Sequence, residues 1–332
     1  MAQSAPIAIV VPVYNRRIKL IKTLATVVAQ SKTPTLLIVV DDGSTDGSAE
    51  VAESWLAHNA PFEWRVMRQS NGGAAAARNA GFAEIGELPF VCFLDSDDLW
   101  PPEFLAEGLR ALEGRDDAVA AVADRRKERA GKRWKLTNMR LLEHNPILWL
   151  ICNDGGILSC ALIRSRAARE AGLFVSGMVA SEDTDFLFRL FRFGEAVRSE
   201  SSPVRSIKQA PLEPTEAPNL SASGDLPYLC ARHLQTVLRS VPESMLKEHA
   251  ALIRAAVAQK WARSAFSCWR TKRHGRAIIS LSRALWWDHK WHRRWGLVRA
   301  FYRRNRKILH SYREELEALE ALAGWQNAPL QS

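Results

Sequence analysis

The 332-residue chain has few cysteines, five in all, and none of them stands in a CxxC pair. An odd count without paired spacing argues against a disulfide framework or a zinc site and indicates free thiols. Long apolar runs are also missing, and no stretch reaches the roughly 18 apolar residues that a spanning helix needs. The start, MAQSAPIAIVVPV, lacks a basic region, and Pro12 breaks its apolar run, which argues against a signal peptide. These absences predict a cytoplasmic protein.

The positive charge is confined to the last third of the chain. The formal net charge is +10, but residues 229–332 carry 20 Lys and Arg against 7 Asp and Glu, whereas residues 1–228 have a net charge of −3. The last third also holds seven of the twelve Trp. The composition therefore predicts a nearly neutral body followed by a basic, Trp-rich tail.

Apolar runs alternate with helical patterns over the first 123 residues. Five segments are predicted to be strands, and the first two are apolar runs typical of buried strands: Ile7–Val13, Leu36–Val40, Trp64–Arg68, Phe90–Leu94 and Ala118–Ala123. The segments between them have the periodicity of helices. This alternation predicts an α/β fold with a doubly wound parallel sheet that carries helices on both faces.

The rest of the chain divides at a proline-rich stretch. Residues 124–150 are basic and mixed, and we expect them to form an excursion from the core. Residues 211–227 are rich in Pro, Ser and Glu and are predicted to be a linker. We therefore expect an α/β domain over residues 1–210 and a basic, Trp-rich helical domain over residues 228–332.

Polar clusters follow three of the predicted strands at the point where each strand ends. They are Tyr14-Asn15, Asp41-Asp42 and Asp95-Ser96-Asp97-Asp98. Ligands bind beyond the carboxyl ends of the strands in doubly wound sheets, so we expect the three clusters to line one site.

The third cluster puts Asp95, Asp97 and Asp98 within four residues. Carboxylates this close repel each other unless a cation or hydrogen bonds compensate. A hard divalent ion such as Mg²⁺ or Mn²⁺, shared with substrate phosphates, would compensate them. The alternative is an acidic turn that caps the next helix.

Three further motifs allow a structural or a functional interpretation. The first motif, Asp41-Asp42-Gly43-Ser44, is typical of a turn followed by a helix N-cap. In its functional interpretation, one of the two aspartates accepts hydrogen bonds from a base or ribose. Arg78 lies in a helix of small residues suited to close packing, and its guanidinium also suits a phosphate. Asp183 lies in the segment Ser181–Asp185 that opens a predicted helix, where the helix dipole favours acidic residues. In the functional interpretation Asp183 is a general base that takes the proton of an acceptor hydroxyl.

Taken in order, these motifs resemble the family 2 glycosyltransferases of the GT-A fold. The resemblance covers roughly residues 5–200 and rests on Pro12-Val13-Tyr14-Asn15, Asp41-Asp42-Gly43-Ser44, Asn71-Gly72-Gly73 with Ala77-Arg78-Asn79, Asp95-Ser96-Asp97-Asp98 and Glu182-Asp183. It implies a GT-A catalytic domain, a nucleotide-sugar donor (UDP-sugar above others), a Mg²⁺ or Mn²⁺ ion and an inverting single displacement.

The resemblance also implies roles at the donor. Tyr14 would stack beside the nucleobase in a pocket shaped by Pro12. Asp42 would contact the base, with Asp41 close by, and Arg78 would lie near the diphosphate.

The remaining implied roles concern the metal and the base. Asp95, Ser96 and Asp97 would form the DxD motif, whose carboxylates bind the ribose and the metal, and Asp98 would lie next to the ion. Asp183 would be the catalytic base.

The chain lacks the QxxRW motif and the spanning helices of processive synthases in this family, which favours single additions to a glycan or a lipid-linked acceptor. Two alternatives remain open. One is a non-catalytic nucleotide-sugar-binding or scaffold protein of the same fold. The other is a nucleotidyltransferase, although the Gly-rich basic loop typical of that class is missing after the first strand.

The basic tail has an aromatic stripe at helical spacing, formed by Trp291, Trp295, Val298 and Tyr302. Such a helix could lie on an anionic membrane surface, or could pack its stripe against the protein. No recognisable nucleic-acid-binding module accompanies the charge, so no nucleic-acid partner is expected. The prediction is therefore a cytoplasmic protein with peripheral contact to the inner face of the membrane.

Overall fold

The computed structural model describes residues 5–129, 132–137, 142, 145–153, 156–178, 180–208 and 226–287. Contacts divide the chain into two compact units, one with residues 1–150 and 154–219 and the other with residues 151–153 and 220–332. The predicted linker lies outside the described residues up to residue 225. Its last two residues, Leu226 and Pro227, begin a helix.

The first unit contains all of the described strands. They are β1 (Ala5–Val13), β2 (Pro34–Asp41), β3 (Glu63–Arg68), β4 (Phe90–Phe93), β5 (Asp98–Leu99), β6 (Ala118–Val122), β7 (Arg125–Arg129), β8 (Lys132–Thr137), β9 (Ala161–Arg164), β10 (Glu195–Arg198) and β11 (Val204–Lys208). Each of the five predicted strands is confirmed, within two residues at each end.

The described residues before 191 form seven α-helices. They are α1 (Arg17–Val28), α2 (Ser48–Asn59), α3 (Gly73–Ala83), α4 (Phe104–Leu112), α5 (Pro146–Cys152), α6 (Ser165–Glu170) and α7 (Glu182–Leu190). α1 to α4 connect successive strands, as the alternation of patterns predicts.

Seven strands form the main sheet in the order β10-β6-β9-β4-β1-β2-β3. β1 pairs in parallel with β2 and β4, and β2 pairs in parallel with β3. β9 is antiparallel to both of its neighbours, β4 and β6, so the expectation of an all-parallel sheet is wrong at this strand. The hydrophobicity of a four-residue strand does not encode its direction, which explains the error.

A second sheet of four strands has the order β5-β11-β7-β8. It includes most of the segment 124–137, which we expected to be an excursion from the core. That expectation is wrong because the sequence of β7, RRKER, is entirely charged, and a hydrophobic pattern cannot reveal such a strand. The sheet pairs Ser206 of β11 with Asp98 of β5, the last residue of the acidic cluster.

The described secondary structure of the second unit beyond residue 225 consists of helices joined by short turns. Its α-helices are α8 (Leu226–Val237), α9 (Glu243–Glu248), α10 (Ala250–Arg270) and α11 (His274–Trp287). The Trp261 side chain of α10 is fully buried, and the hydroxyls of Ser264 and Ser280 lie 2.8 Å apart between α10 and α11. The helical prediction is confirmed as far as Trp287; the stripe from Trp291 to Tyr302 lies outside the described residues. None of the described helices is long and apolar enough to cross a bilayer.

Helix α3 packs on the main sheet through Gly81. A Cβ atom placed on Gly81 would lie 2.5 Å from Cγ1 of Val10 and 3.1 Å from Cγ2 of Val40. Only a hydrogen fits in this space, so the glycine sets how closely α3 approaches β1 and β2.

We predict that Gly81→Ala lowers the free energy of unfolding by about 1–3 kcal/mol, because the added methyl group overpacks the core. Ala83→Ser is the matched control, since it adds one heavy atom at an exposed position of the same helix and should cost less than about 0.7 kcal/mol. Chemical denaturation measures both values. An equal loss in the two variants would contradict the packing argument.

Candidate functional site

Tyr14 and Pro12 lie at the carboxyl end of β1. The register pairs Pro12 with Val40 and Val13 with Asp41, so Tyr14 and the Asp41-Asp42 pair leave adjacent strands at the same edge of the sheet. The Pro12 side chain is buried, whereas Tyr14 is 41% exposed. An exposed aromatic ring beside a buried proline can stack on a planar ligand.

Asp42 organises the turn that begins α3. Its carboxylate accepts hydrogen bonds from the backbone N–H groups of Gly72 and Gly73, both at 2.8 Å, and from Nε2 of Gln69 at 2.7 Å. Asp41 similarly accepts the N–H of Ser44 at 2.7 Å. Both aspartates are buried, and these contacts lie within the protein, so their expected contact with a base stays a prediction.

Asn15 is a site residue to which the sequence analysis gave no role. It has a φ of +48°, its N–H donates to Oγ of Ser44 at 2.9 Å, and its Oδ1 accepts the N–H of Thr45 at 2.7 Å. Asn tolerates the left-handed region better than most residues, which is the signal that could have identified it. Asn15 thereby ties the loop after β1 to the loop after β2.

Arg78 lies under this edge of the sheet and is only 4% exposed. Nη2 donates to Oδ1 of Asp95 at 2.7 Å, and Nη1 donates to Oε1 of Glu182 at 3.1 Å. The guanidinium also lies over the ring of Phe174, 5.3 Å from its centroid. Arg78 therefore joins the end of β4 to the start of α7, and the described contacts of its Nη atoms are with these two carboxylates.

The charges around Arg78 perturb each other's ionisation. Burial lowers the pKa of the guanidinium, but the attraction of Asp95 and Glu182 outweighs it and leaves the pKa raised. Burial and the neighbouring Asp183 raise the pKa of Glu182, and Arg78 opposes that rise. The single positive charge of Arg78 thus compensates a cluster of acidic groups.

The side chains of the acidic cluster after β4 differ in their partners and in their burial. Asp97 pairs with Arg16, with 2.8 Å between Oδ2 and Nη1, and the Asp95 side chain is 40% exposed. Asp98 is buried against the hydroxyls of Ser159 and Ser206; burial and the charges of Asp97 and Asp95 raise its pKa to about 7. Ser96 is buried as well.

The loop after β4 can offer a divalent cation only part of a coordination shell. Among the described residues, no three His, Cys, Asp or Glu side chains converge closely enough to hold a metal. Mg²⁺ and its relatives commonly bind one or two carboxylates and complete their shell with phosphates and water. Asp95 and Asp97 can provide such an incomplete set, whereas the Asp98 carboxyl is engaged by serine hydroxyls inside the protein.

Asp183 is the second residue of α7, after Ser181, whose φ is +64°. Its Oδ1 accepts the N–H of Thr184 at 2.7 Å. A Cβ atom placed on Gly156 would lie 3.8 Å from Oδ2 of Asp183 and 2.7 Å from Nη1 of Arg125. The buried Arg125 and Gly156, to which the sequence analysis gave no role, thus lie beside the candidate base.

The sequence profile described as "Glycosyl transferase family 2" matches residues 8–172. Residues 8–172 form a family 2 glycosyltransferase domain. The match includes every candidate residue of the site except Glu182 and Asp183, which follow it.

A curated relative of this glycosyltransferase domain is YibD of Escherichia coli K12, named as an uncharacterised glycosyltransferase. It is 31% identical over 136 residues, which cover 41% of this chain and 39% of YibD. The matched part thus spans about two fifths of that relative's length.

Two solved structures share the fold. TarS 1–349 of S. aureus in complex with UDP-GlcNAc has a TM-score of 0.57 at 15% identity, with 86% of this chain and 91% of that chain covered. The mannosyltransferase PcManGT of Pyrobaculum calidifontis, in complex with GDP-Man and Mn²⁺, has a TM-score of 0.55 at 16% identity, with 98% and 89% covered. The expected GT-A fold of the glycosyltransferase domain, with its helical C-terminal extension, is confirmed.

We predict that Arg78→Met lowers the free energy of unfolding by about 3 kcal/mol, since the buried Glu182 and the half-exposed Asp95 lose their cation. Adding Glu182→Gln to this variant should restore part of the loss, because one uncompensated charge is removed. Urea denaturation of the two single variants and the double variant gives the coupling energy.

Arg115→Met is the matched control. Arg115 also bridges two carboxylates, those of Asp117 and Glu195, but all three side chains are about half exposed. Exposed pairs contribute less than about 1 kcal/mol. A loss at Arg78 no larger than the loss at Arg115 would show that the buried bridge does not hold the site together.

Proposed function

We propose that this protein transfers a sugar from a nucleoside-diphosphate donor, with UDP-sugar favoured, to a hydroxyl group of a glycan or a lipid-linked acceptor. The reaction is an inverting, non-processive displacement that depends on Mg²⁺ or Mn²⁺. The observation that carries the proposal is the bridge of Arg78 between Asp95 and Glu182. It brings the acidic loop after β4 and the start of α7, with Asp183, to one edge of a family 2 domain.

The nucleotide end of the donor lies against the loops after β1 and β2. Tyr14 stacks on the nucleobase, and Pro12 supports the ring from below. Asp41 and Asp42 hold the loops that form the wall of this pocket, since their carboxylates are already engaged by backbone N–H groups. The UDP-GlcNAc complex of TarS supports a uridine nucleotide.

Asp95 and Asp97 would hold the divalent ion, and Ser96 would keep the two carboxylates at their spacing. A bound ion would supply positive charge that stabilises the negative charge developing on the leaving diphosphate. The complex of PcManGT with GDP-Man and Mn²⁺ supports a metal ion. Asp98 stabilises the loop through Ser159 and Ser206 rather than through the ion.

Asp183 is the general base. An acceptor hydroxyl gives its proton to the Asp183 carboxylate while its oxygen forms a bond to the anomeric carbon. The bond from the anomeric carbon to the diphosphate oxygen breaks, and the electron pair leaves with the nucleoside diphosphate. Arg78 does not contact the diphosphate in this scheme; it positions Asp95 and the start of α7.

We predict that Asp183→Asn lowers kcat by about 10²–10⁴-fold, because the hydroxyl group loses its proton acceptor. The dissociation constant for UDP should change less than about twofold. Radiolabelled sugar transfer measures the rate, and calorimetry measures the affinity for UDP.

Asp185→Asn is the control for this variant. Asp185 lies on the same helix two residues further on and pairs with Arg189 at 2.8 Å, so its loss should leave transfer nearly unchanged. Full transfer activity in Asp183→Asn would contradict the assignment of Asp183 as the general base.

We also predict that UDP raises the melting temperature by several degrees in Mn²⁺ and by much less in EDTA, since a ligand that binds only the folded protein stabilises it. Asp97→Asn should abolish the dependence on Mn²⁺. Asp116→Asn, at a fully exposed carboxylate, is the control and should behave like the wild type. An unchanged Mn²⁺ effect in Asp97→Asn would place the ion elsewhere.

The products distinguish this proposal from its alternatives. Incubation with a panel of nucleotide-sugars should release nucleoside diphosphate. Release of pyrophosphate would instead indicate a nucleotidyltransferase. Binding of UDP without turnover of any nucleotide-sugar would favour a non-catalytic binding protein.

A further inference from the structure

The second unit exposes four large apolar side chains on two consecutive helices. They are Trp269 at the end of α10 and Ile278, Ile279 and Trp286 of α11, and the last is 74% exposed. The rings of Trp269 and His274 have centroids 4.7 Å apart, which connects the end of α10 to the start of α11.

The three α11 residues lie on the side of the helix away from α10. Ile279 and Trp286 are seven residues apart and therefore share one side, with Ile278 adjacent. Ala277, Ser280 and Ala284 form the opposite, buried side. An exposed apolar stripe of this kind is unusual on a helix that already has a packed face.

The charge beside this stripe is predominantly positive. Residues 249–287 contain eight Lys and Arg and no Asp or Glu. Four of these cations are exposed around the turn between α10 and α11: Arg270, Lys272, Arg273 and Arg276. We call these four residues together with Trp269, Ile278, Ile279 and Trp286 the α11 surface.

The exposed apolar side chains and the exposed cations of the α11 surface together favour one class of binding partner. A second copy of the chain would bring two cationic surfaces together, at an electrostatic cost. A nucleic acid would satisfy the cations but would leave the isoleucines in water. An anionic lipid surface satisfies both, because its headgroups attract Lys and Arg while its interface accepts Trp and aliphatic side chains.

We propose that the α11 surface binds the anionic surface of a lipid bilayer, with Ile278, Ile279 and Trp286 inserted among the headgroups. This inference does not depend on the catalytic proposal. It gives a location to the peripheral membrane contact expected of the basic tail, and it would hold the enzyme where a lipid-linked acceptor is found.

Flotation of the full chain with vesicles tests the proposal. The wild type should float with vesicles of phosphatidylcholine mixed with phosphatidylglycerol, much less with pure phosphatidylcholine, and less in high salt. The double variant Ile278→Ser/Ile279→Ser should reduce the bound fraction at least about tenfold, because two aliphatic side chains no longer leave water. Trp286→Ser should also reduce the bound fraction. Because the Trp286 side chain is three-quarters exposed, this variant provides a second test if the double variant fails to fold.

Phe193→Ser is the matched control, since Phe193 is a half-exposed aromatic residue of the first unit; it should float like the wild type. These variants leave residues 288–332 intact, so flotation that survives both α11 substitutions would overturn the proposal. Equal flotation with neutral and anionic vesicles would also overturn it. So would binding of the wild type to duplex DNA with no binding to either kind of vesicle.

Discussion

The buried guanidinium of Arg78 is the interaction on which the rest of the candidate site depends. Its helix, α3, is fixed to the sheet by the close approach of Gly81, so the cation has a set position in the core. Asp95 and Glu182 come from segments 87 residues apart in sequence, and both must approach this one charge. Because an uncompensated charge in a poorly solvated site is costly, the acidic loop and the start of α7 are held at a defined separation. Asp183 follows Glu182 directly and therefore lies at the same end of α7.

Much of the first unit can be predicted from the sequence, for a physical reason. Strands buried on both faces need continuous apolar runs, and β1, β2 and β4 have them. Once the strands are parallel, the polar residues after them must meet at one edge, so the site could be located before its geometry was known. The direction of β9 could not be predicted, because hydrophobic periodicity is the same for parallel and antiparallel strands. Strand β7 could not be predicted, because its residues are all charged and show no hydrophobic pattern.

The orientation of individual carboxylates could not be predicted either. An aspartate that stabilises a turn and one that faces a ligand have the same local sequence. Asp42 is engaged by the N–H groups of Gly72 and Gly73, and Asp98 by Ser159 and Ser206, and these donors come from distant parts of the chain. Arg78 was expected near a phosphate for its charge, yet its described partners are carboxylates. The three-dimensional arrangement distinguishes Asp98, which is buried against serine hydroxyls, from Asp95 and Asp97, which pair with Arg78 and Arg16.

We propose that the donor, the ion and the base meet at the carboxyl ends of β1, β2 and β4. A crystal structure of the protein with UDP and Mn²⁺ tests this arrangement. We predict uracil against Tyr14, Mn²⁺ between the diphosphate and the carboxylates of Asp95 and Asp97, and an intact bridge from Arg78 to Glu182. A nucleotide bound away from this edge, or an ion held without Asp95 and Asp97, would contradict the claim.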